Sequence, residues 1–120
     1  MRVYLAGAMT SIPFFNLAAF EKATEKLREQ GHEVFNPVEN DADIYGYEMF
    51  TSNPTGDAAK AQREYDFDIR QALGDDLAWL CMNADAIALL PGWRNSKGAT
   101  AEHATAVALG LKIIELEDDI

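Results

Sequence analysis

Short apolar runs alternate with amphipathic stretches along the chain. Val3 to Ala6 is an apolar run closed by Gly7, which predicts a buried parallel strand. Between Asn16 and Gln30, Phe20, Ala23 and Leu27 share one helical face, while Glu21, Lys22, Glu25, Lys26 and Arg28 lie elsewhere. That pattern predicts an amphipathic helix, with Gly31 placed to end it. His32 to Phe35 reads as a second strand, closed by Asn36-Pro37. Val38 to Asp57 is polar and holds Gly46, Pro54 and Gly56, so it is expected to be irregular. Ala58 to Leu80 is helical in pattern, with Gly74 as the candidate break. Ala84 to Leu90 gives a third strand, Ala99 to Leu109 a helix stopped by Gly110, and Lys112 to Leu116 the last strand. Glu117-Asp118-Asp119 follows as a solvated acidic tail.

Alternating strands and helices imply a parallel sheet with helices on both faces. Right-handed crossovers with one reversal of winding give strand order 2-1-3-4, a single flavodoxin- or Rossmann-like domain over residues 1–120. The reversal falls between strands 1 and 3. The loops leaving their carboxyl ends, Gly7-Ala8-Met9-Thr10 and Pro91 to Ser96, should therefore face one crevice, where ligands of such sheets bind.

Composition narrows the partners. Ten Lys and Arg oppose twenty Asp and Glu, a formal net charge of -10, which argues against sequence-independent binding to a nucleic-acid polymer. A small anion is still allowed, because one helix terminus can reverse the local field. The single cysteine, Cys81, cannot form an internal disulfide and fits a reducing, cytoplasmic compartment. No apolar run is long enough to span a membrane, and the amino terminus reads as a strand rather than a signal peptide. The two His and one Cys lack metal-ligand spacing, so no metal and no cofactor are expected.

The candidate chemistry gathers around the third strand. After Leu90 comes a loop with Gly92, then Ser96 and a helix whose first turn offers free N–H groups to an anion. Glu102 follows about one turn into that helix, where it is either a reactive carboxylate or a simple complement to the helix dipole. Tyr4 lies inside strand 1, either as a core residue or with its hydroxyl reaching the crevice. Gly7 permits either close approach of a ligand or a tight turn. Asp68 and Asp75-Asp76 precede strand 3. A straight helix favours Asp68 at the carboxyl end, whereas a break at Gly74 brings Asp76 closer. Trp93 is expected to expose a ring for stacking on a flat ligand, with covering the core as the other reading. His103 projects about 100° away from Glu102 and reads as a surface or interface residue. Cys81 reads as a small buried apolar group. The 38–57 stretch carries Tyr45, Tyr47, Met49 and Phe50 and is read as a lid over the ligand or a subunit contact.

Several blocks together resemble the nucleoside 2-deoxyribosyltransferase superfamily over nearly the whole chain, particularly its small phage and bacterial members. These are Tyr4-Leu5-Ala6-Gly7-Ala8-Met9, Gly31 to Pro37, Asp76-Leu77-Ala78-Trp79-Leu80 with Ala84 to Ile87, and Leu90-Pro91-Gly92-Trp93 with Ser96-x-Gly98-Ala99-x-x-Glu102. The chain is also similar to the related 2'-deoxynucleoside 5'-monophosphate N-glycosidases. The resemblance implies that Glu102 attacks C1' of a deoxynucleoside to form a covalent deoxyribosyl-enzyme. It implies that Asp76 protonates or positions the leaving base, that Tyr4 orients the nucleophile, and that Ser96 binds a 5'-phosphate. Gly7, Met9, Asp68, Gly92, Trp93 and Gly98 are expected around the substrate. The alternative is a non-catalytic nucleotide-binding module, or a structural protein, with the same fold. The resemblance further implies a homo-oligomer acting on a small deoxynucleoside or deoxynucleotide. Two departures stand out: Met9-Thr10-Ser11 replaces a first-loop Arg of the monophosphate N-glycosidases, and the Asp76-to-Asp85 spacing is one residue longer. The second leaves Asp75 and Asp68 as rivals for the acid.

Overall fold

A computed structural model describes residues 1–117. Four strands, β1 (Arg2–Ala6), β2 (Glu33–Phe35), β3 (Ala86–Leu89) and β4 (Lys112–Glu115), form one all-parallel sheet in the order β2-β1-β3-β4. The expected architecture and strand order are therefore present. β1 and β3 occupy the centre and are buried on both faces, which is why their sequences are unbroken apolar runs. In register, Tyr4 lies between Phe35 of β2 and Ile87 of β3.

Alternate side chains divide the core into two layers. Val3, Leu5, Ala86 and Ala88 point to one face, where α1 (Leu17–Glu29) covers them with Phe20, Ala23 and Leu27. Tyr4, Ala6, Ile87 and Leu89 point to the other face, under α5 (Ile69–Asn83) and α6 (Lys97–Ala108), which supply Leu80, Ala99 and Ala106. This parity decides where chemistry can occur, because it turns Tyr4 toward α5 and α6.

The segment from Val38 to Asp57 is not irregular. Asn36 accepts the Val38 N–H at 2.9 Å and Pro37 opens the first turn, so α2 runs Pro37–Tyr45 and stops at Gly46, whose φ is +94°. A one-turn helix α3 (Glu48–Thr51) follows and inserts Met49 and Phe50 into the α1-side core. Two of the four side chains expected on a lid or subunit contact are thus core. Tyr45 packs its ring on Phe67 at 5.1 Å, and exposed Tyr47 donates to Glu21 at 2.7 Å.

The long helical pattern breaks at Asp66–Asp68 rather than at Gly74. α4 (Ala58–Tyr65) ends on Asp66 with φ +56°, and α5 then runs unbroken through Gly74. Its buried residues Ala72, Asp76 and Leu80 recur every four positions and define the inward stripe. Cys81 falls outside that stripe and is exposed, which corrects its reading as a buried apolar group. Glu117 is exposed, and the rest of the acidic tail, Asp118 and Asp119, lies outside the described residues.

The loop after β1 is anchored to the segment before α4. Ser11 N–H donates to the Gly56 carbonyl at 2.8 Å, and Phe14 N–H to the Asn53 carbonyl at 3.0 Å. A Cβ on Gly56 would lie 2.1 Å from the Ile12 carbonyl oxygen, and its φ is +68°, so only glycine fits there. Phe14, Phe15 and Asn16 all take left-handed backbone angles in the turn Pro13–Asn16 before α1. These ties hold Met9 and Thr10 at the carboxyl end of the sheet.

Candidate active site

The site begins with a tyrosine in the middle of a sheet. Tyr4 has no exposed surface, and burying a phenol without a partner for its hydroxyl is costly. The partner is Glu102: the Tyr4 hydroxyl donates to Oε2 at 2.7 Å, within a fully buried pair. The ring is fixed from the side by a stack, Tyr4 on Phe35 at 5.5 Å and Phe35 on Trp79 at 5.0 Å.

Glu102 is brought there by α6. Ser96 caps this helix, its Oγ accepting the Ala99 N–H at 3.1 Å, so the helix begins at Lys97 rather than at Ala99. Glu102 consequently stands at the end of the second turn, not the first. Dipole complementation fades within one turn, so it does not explain this acid. Glu102 is only 5 % exposed and Asp76, projecting from α5, 8 %. Asp76 lies close enough to Tyr4 for the hydroxyl to oppose its rise in pKa, and its Oδ1 has no hydrogen-bond partner among the described residues.

A third carboxyl, one that the sequence pattern did not single out, joins them. Asp41 of α2 is 2 % exposed, and its Oδ1 likewise lacks a partner among the described residues. The sequence signal was present: Asn36-Pro37 is a cap followed by a first-turn proline, and Val38, Asp41, Ala42 and Tyr45 then fall on one helical face.

Burial makes each of these charges expensive. It pushes Asp41 to about 7, with Asp76 and Asp75 adding repulsion. It pushes Asp76 to about 7, opposed by the Tyr4 hydroxyl and assisted by Asp75. It pushes Glu102 to about 8, opposed by the Tyr4 hydrogen bond and assisted by Asp76 and Asp41. Burial, then Glu102 and Asp76, hold Tyr4 well above its ordinary value of 10.0, so the phenol stays a donor. Burial, with repulsion among the acids added to it, therefore lifts all three carboxyls from the usual carboxylate range toward neutrality. A site that keeps one acid protonated beside another ionised can run general-acid and nucleophilic steps together.

A cavity of about 70 Å³ opens beside the acids. Met9 and Thr10 of the first loop, Asp41, Asp76, and the apolar residues Phe15, Phe50 and Phe67 are among its walls. Of the residues expected around a substrate, Met9 and Asp76 reach this cavity, whereas Tyr4 and Glu102 are paired with each other and do not line it.

The other expected residues have different places. Asp68 caps α5, accepting the Arg70 and Gln71 N–H groups at 3.0 and 3.2 Å, and is exposed. Crude helix geometry favoured it over Asp76, but α5 is continuous and Asp76 is the acid on its inward stripe. Trp93 is 7 % exposed, packs on His103 at 4.4 Å and belongs to the α5/α6-side core. Its ring is taken up by that packing and cannot stack on a ligand, which corrects that expectation and accounts for His103 as well. Gly7 is buried, and a Cβ there would lie 2.7 Å from Leu90, so its smallness serves packing between the ends of β1 and β3. Gly92 makes the left-handed turn after Leu90, with φ +85°, and Gly98 lies in the first turn of α6 beside Ser96. Gly92, Ser96 and Gly98 lie outside the cavity wall.

Among the described residues, no three of the His, Cys, Asp and Glu side chains are grouped so as to hold a metal ion. No described helix is long and apolar enough to cross a membrane. Fold and site together define a parallel α/β domain with a cluster of buried carboxyls beside the two central strands. Residues 1–115 match the family described as "Domain of unknown function (DUF4406)", and the chain belongs to that family. No curated protein and no solved structure matches it.

Proposed function

We propose that this chain cleaves or exchanges the N-glycosidic bond of a 2'-deoxynucleoside or its 5'-monophosphate. The observation that carries the reading is the buried Tyr4–Glu102 hydrogen bond of 2.7 Å, with a second buried acid, Asp76, near it on α5. Ionised Glu102 attacks C1', the C1'–N bond breaks, and its electron pair leaves with the base. Protonated Asp76 delivers its proton to that base. Water or a second base then attacks C1' of the deoxyribosyl ester; Asp76 takes the nucleophile's proton and Glu102 regains its carboxylate. This is the two-carboxyl logic of retaining glycoside hydrolysis. Ser96 lies six residues before Glu102, about 9 Å along the helix axis. That span suits a sugar held at one end by Glu102 with its 5' substituent at the helix start. As a cap the Ser96 oxygen accepts, and its own hydrogen can be donated to a phosphate.

One observation favours the alternative of a nucleotide-binding module: Glu102 is not on the cavity wall. Incubation with deoxynucleosides and their 5'-monophosphates, with and without an acceptor base, separates the two by release of free base. Glu102→Ala is expected to lose turnover by orders of magnitude while remaining folded. Retention of more than about a tenth of the wild-type rate contradicts a nucleophilic Glu102.

The same reading includes a homo-oligomer in a cytoplasmic setting. Met82 on α5 is 81 % exposed and Val107 on α6 is 55 % exposed, apolar side chains that a subunit contact would cover. A monomeric mass by light scattering contradicts that part.

A further inference from the structure

The cavity's walls have an unusual polarity. Apart from Thr10, its polar side chains are two acids, Asp41 and Asp76, and no Lys, Arg or His is among the lining residues. The remainder is Met, Phe, Ile, Leu and Ala. Each acid is more than nine-tenths buried, and each keeps one oxygen, Oδ1, without a hydrogen-bond partner among the described residues. Buried oxygens are normally satisfied, and the two acids that carry these orphan oxygens both line one cavity, so they define what its occupant must bring.

We propose that this cavity selects an aromatic base bearing an exocyclic amino group, whose two N–H donors are shared between Asp41 and Asp76. The inference rests on the crevice receiving a nucleoside, as in the proposed function, and extends it to the class of base. An exocyclic amine carries two donors on one atom, one for each acid. A carboxyl group has an acceptor oxygen whether ionised or protonated, so the match holds in either state. A keto group in the same place offers only lone pairs and leaves both acid oxygens opposed by an acceptor, which costs more than a missing hydrogen bond. The aromatic walls, Phe15, Phe50 and Phe67, suit a flat ring. The amino group belongs to adenine, cytosine and guanine alike, and ring size is left to experiment.

The test is calorimetric binding of matched pairs to the Glu102→Gln chain, which removes turnover. The pairs are deoxycytidine with deoxyuridine, deoxyadenosine with deoxyinosine, and deoxyguanosine with deoxyinosine. At least about a tenfold preference for the amino member is expected in one or more pairs, as for hydrogen bonds to charged groups. The favoured pair identifies the ring. Asp41→Asn, which replaces one acceptor by an amide able to donate, is expected to bring that preference to parity or reverse it. Equal affinities within every pair overturn the inference without using an Asp41 variant at all. A preference unchanged by Asp41→Asn in a chain with native circular dichroism overturns it too. Base release by wild type is measured alongside. Release from amino and keto members without discrimination in binding or rate overturns the selectivity and leaves the glycosidase reading standing. An Asp41-dependent preference without release supports the selectivity and overturns the glycosidase reading.

Discussion

Tyr4→Phe isolates the central hydrogen bond, because it deletes one oxygen and keeps the ring that stacks on Phe35. The lost interaction is an O–H donated over 2.7 Å to a buried carboxyl. Hydrogen bonds to charged groups contribute about 1.5–3 kcal/mol. Since about 1.36 kcal/mol corresponds to a tenfold change in proton affinity, the pKa of Glu102 should rise by about one to two from its present position near 8. The sign follows from the donor's preference: a hydroxyl donating to Glu102 stabilises the carboxylate, so its removal favours the protonated acid. Tyr4 itself does not ionise in the working range, its own pKa being raised further.

The consequence is specific to pH. A nucleophilic Glu102 must be ionised, and at pH 7 or below its ionised fraction falls about tenfold each time its pKa climbs by one. The variant should therefore lose about ten- to a hundredfold in kcat/KM at pH 7. The deficit should shrink as pH rises, to about twofold one to two pH units above the wild-type value, and vanish beyond that, where Glu102 is ionised in both chains. Because Asp76 loses its proton near 7, below Glu102, the form with Glu102 ionised and Asp76 protonated is a minority at every pH, and the size of the deficit rather than the position of a limb is the readout. The assay is base release at a series of pH values, fitted for kcat/KM. A deficit of the same size at every pH would refute the reasoning, because tyrosine would then be positioning the site rather than holding the charge on Glu102.

Three further perturbations test separate parts of the structure. Asp76→Asn should slow departure of poor leaving bases more than good ones, read from a leaving-group series, and equal slowing demotes Asp76 to a structural acid. Ser96→Ala should weaken a 5'-monophosphate by about 1.5–3 kcal/mol more than the matching nucleoside in binding titrations; it should also cost about 1 kcal/mol of stability through the lost α6 cap. Asp41→Asn should stabilise the chain more at pH 8 than at pH 5, by on the order of 2 kcal/mol in chemical denaturation. Its folded-state value of about 7 exceeds the unfolded one of 3.8, so the wild-type carboxyl loses stability as pH climbs between them; an equal gain at both pH values rejects that linkage.

The strand pattern was legible because β1 and β3 are buried on both sides and leave unbroken apolar runs, and β1's alternation placed Tyr4 on the same face as α5 and α6. Ser96 and Glu102 were legible as a strand-loop-helix signature, although a cap two residues earlier moved Glu102 from the first turn to the second. What escaped was set by tertiary context. Met49 and Phe50 are ordinary apolar residues in a polar stretch, and their burial depends on the one-turn α3 packing against the turn before α1. Trp93 adjoins the expected crevice in sequence, yet its ring turns away to pack on His103. Asp41 looked like any acid of a solvated loop, since its burial depends on α2 packing beside α5.

The cost of the acid cluster argues that it is kept for a reason other than stability. Paired buried charges ordinarily find a cation, and replacement by apolar residues often improves stability. Here the exposed ion pairs Arg28–Glu39 and Arg94–Glu115 lie at the surface, while Asp41, Asp76 and Glu102 face one another with a single phenol hydroxyl among them. Mutual repulsion and burial both favour retained protons, so the arrangement holds acids in their proton-donating form near neutral pH. Tyr4 adds an asymmetry, because its one hydrogen goes to Glu102 and offsets part of the burial that leaves Glu102 at about 8, above Asp76 and Asp41 at about 7. A nucleophile paired with a general acid requires the anion on Glu102 and the proton on Asp76, and the 2.7 Å hydrogen bond from Tyr4 on the middle strand is the contact that works toward the Glu102 anion against its burial.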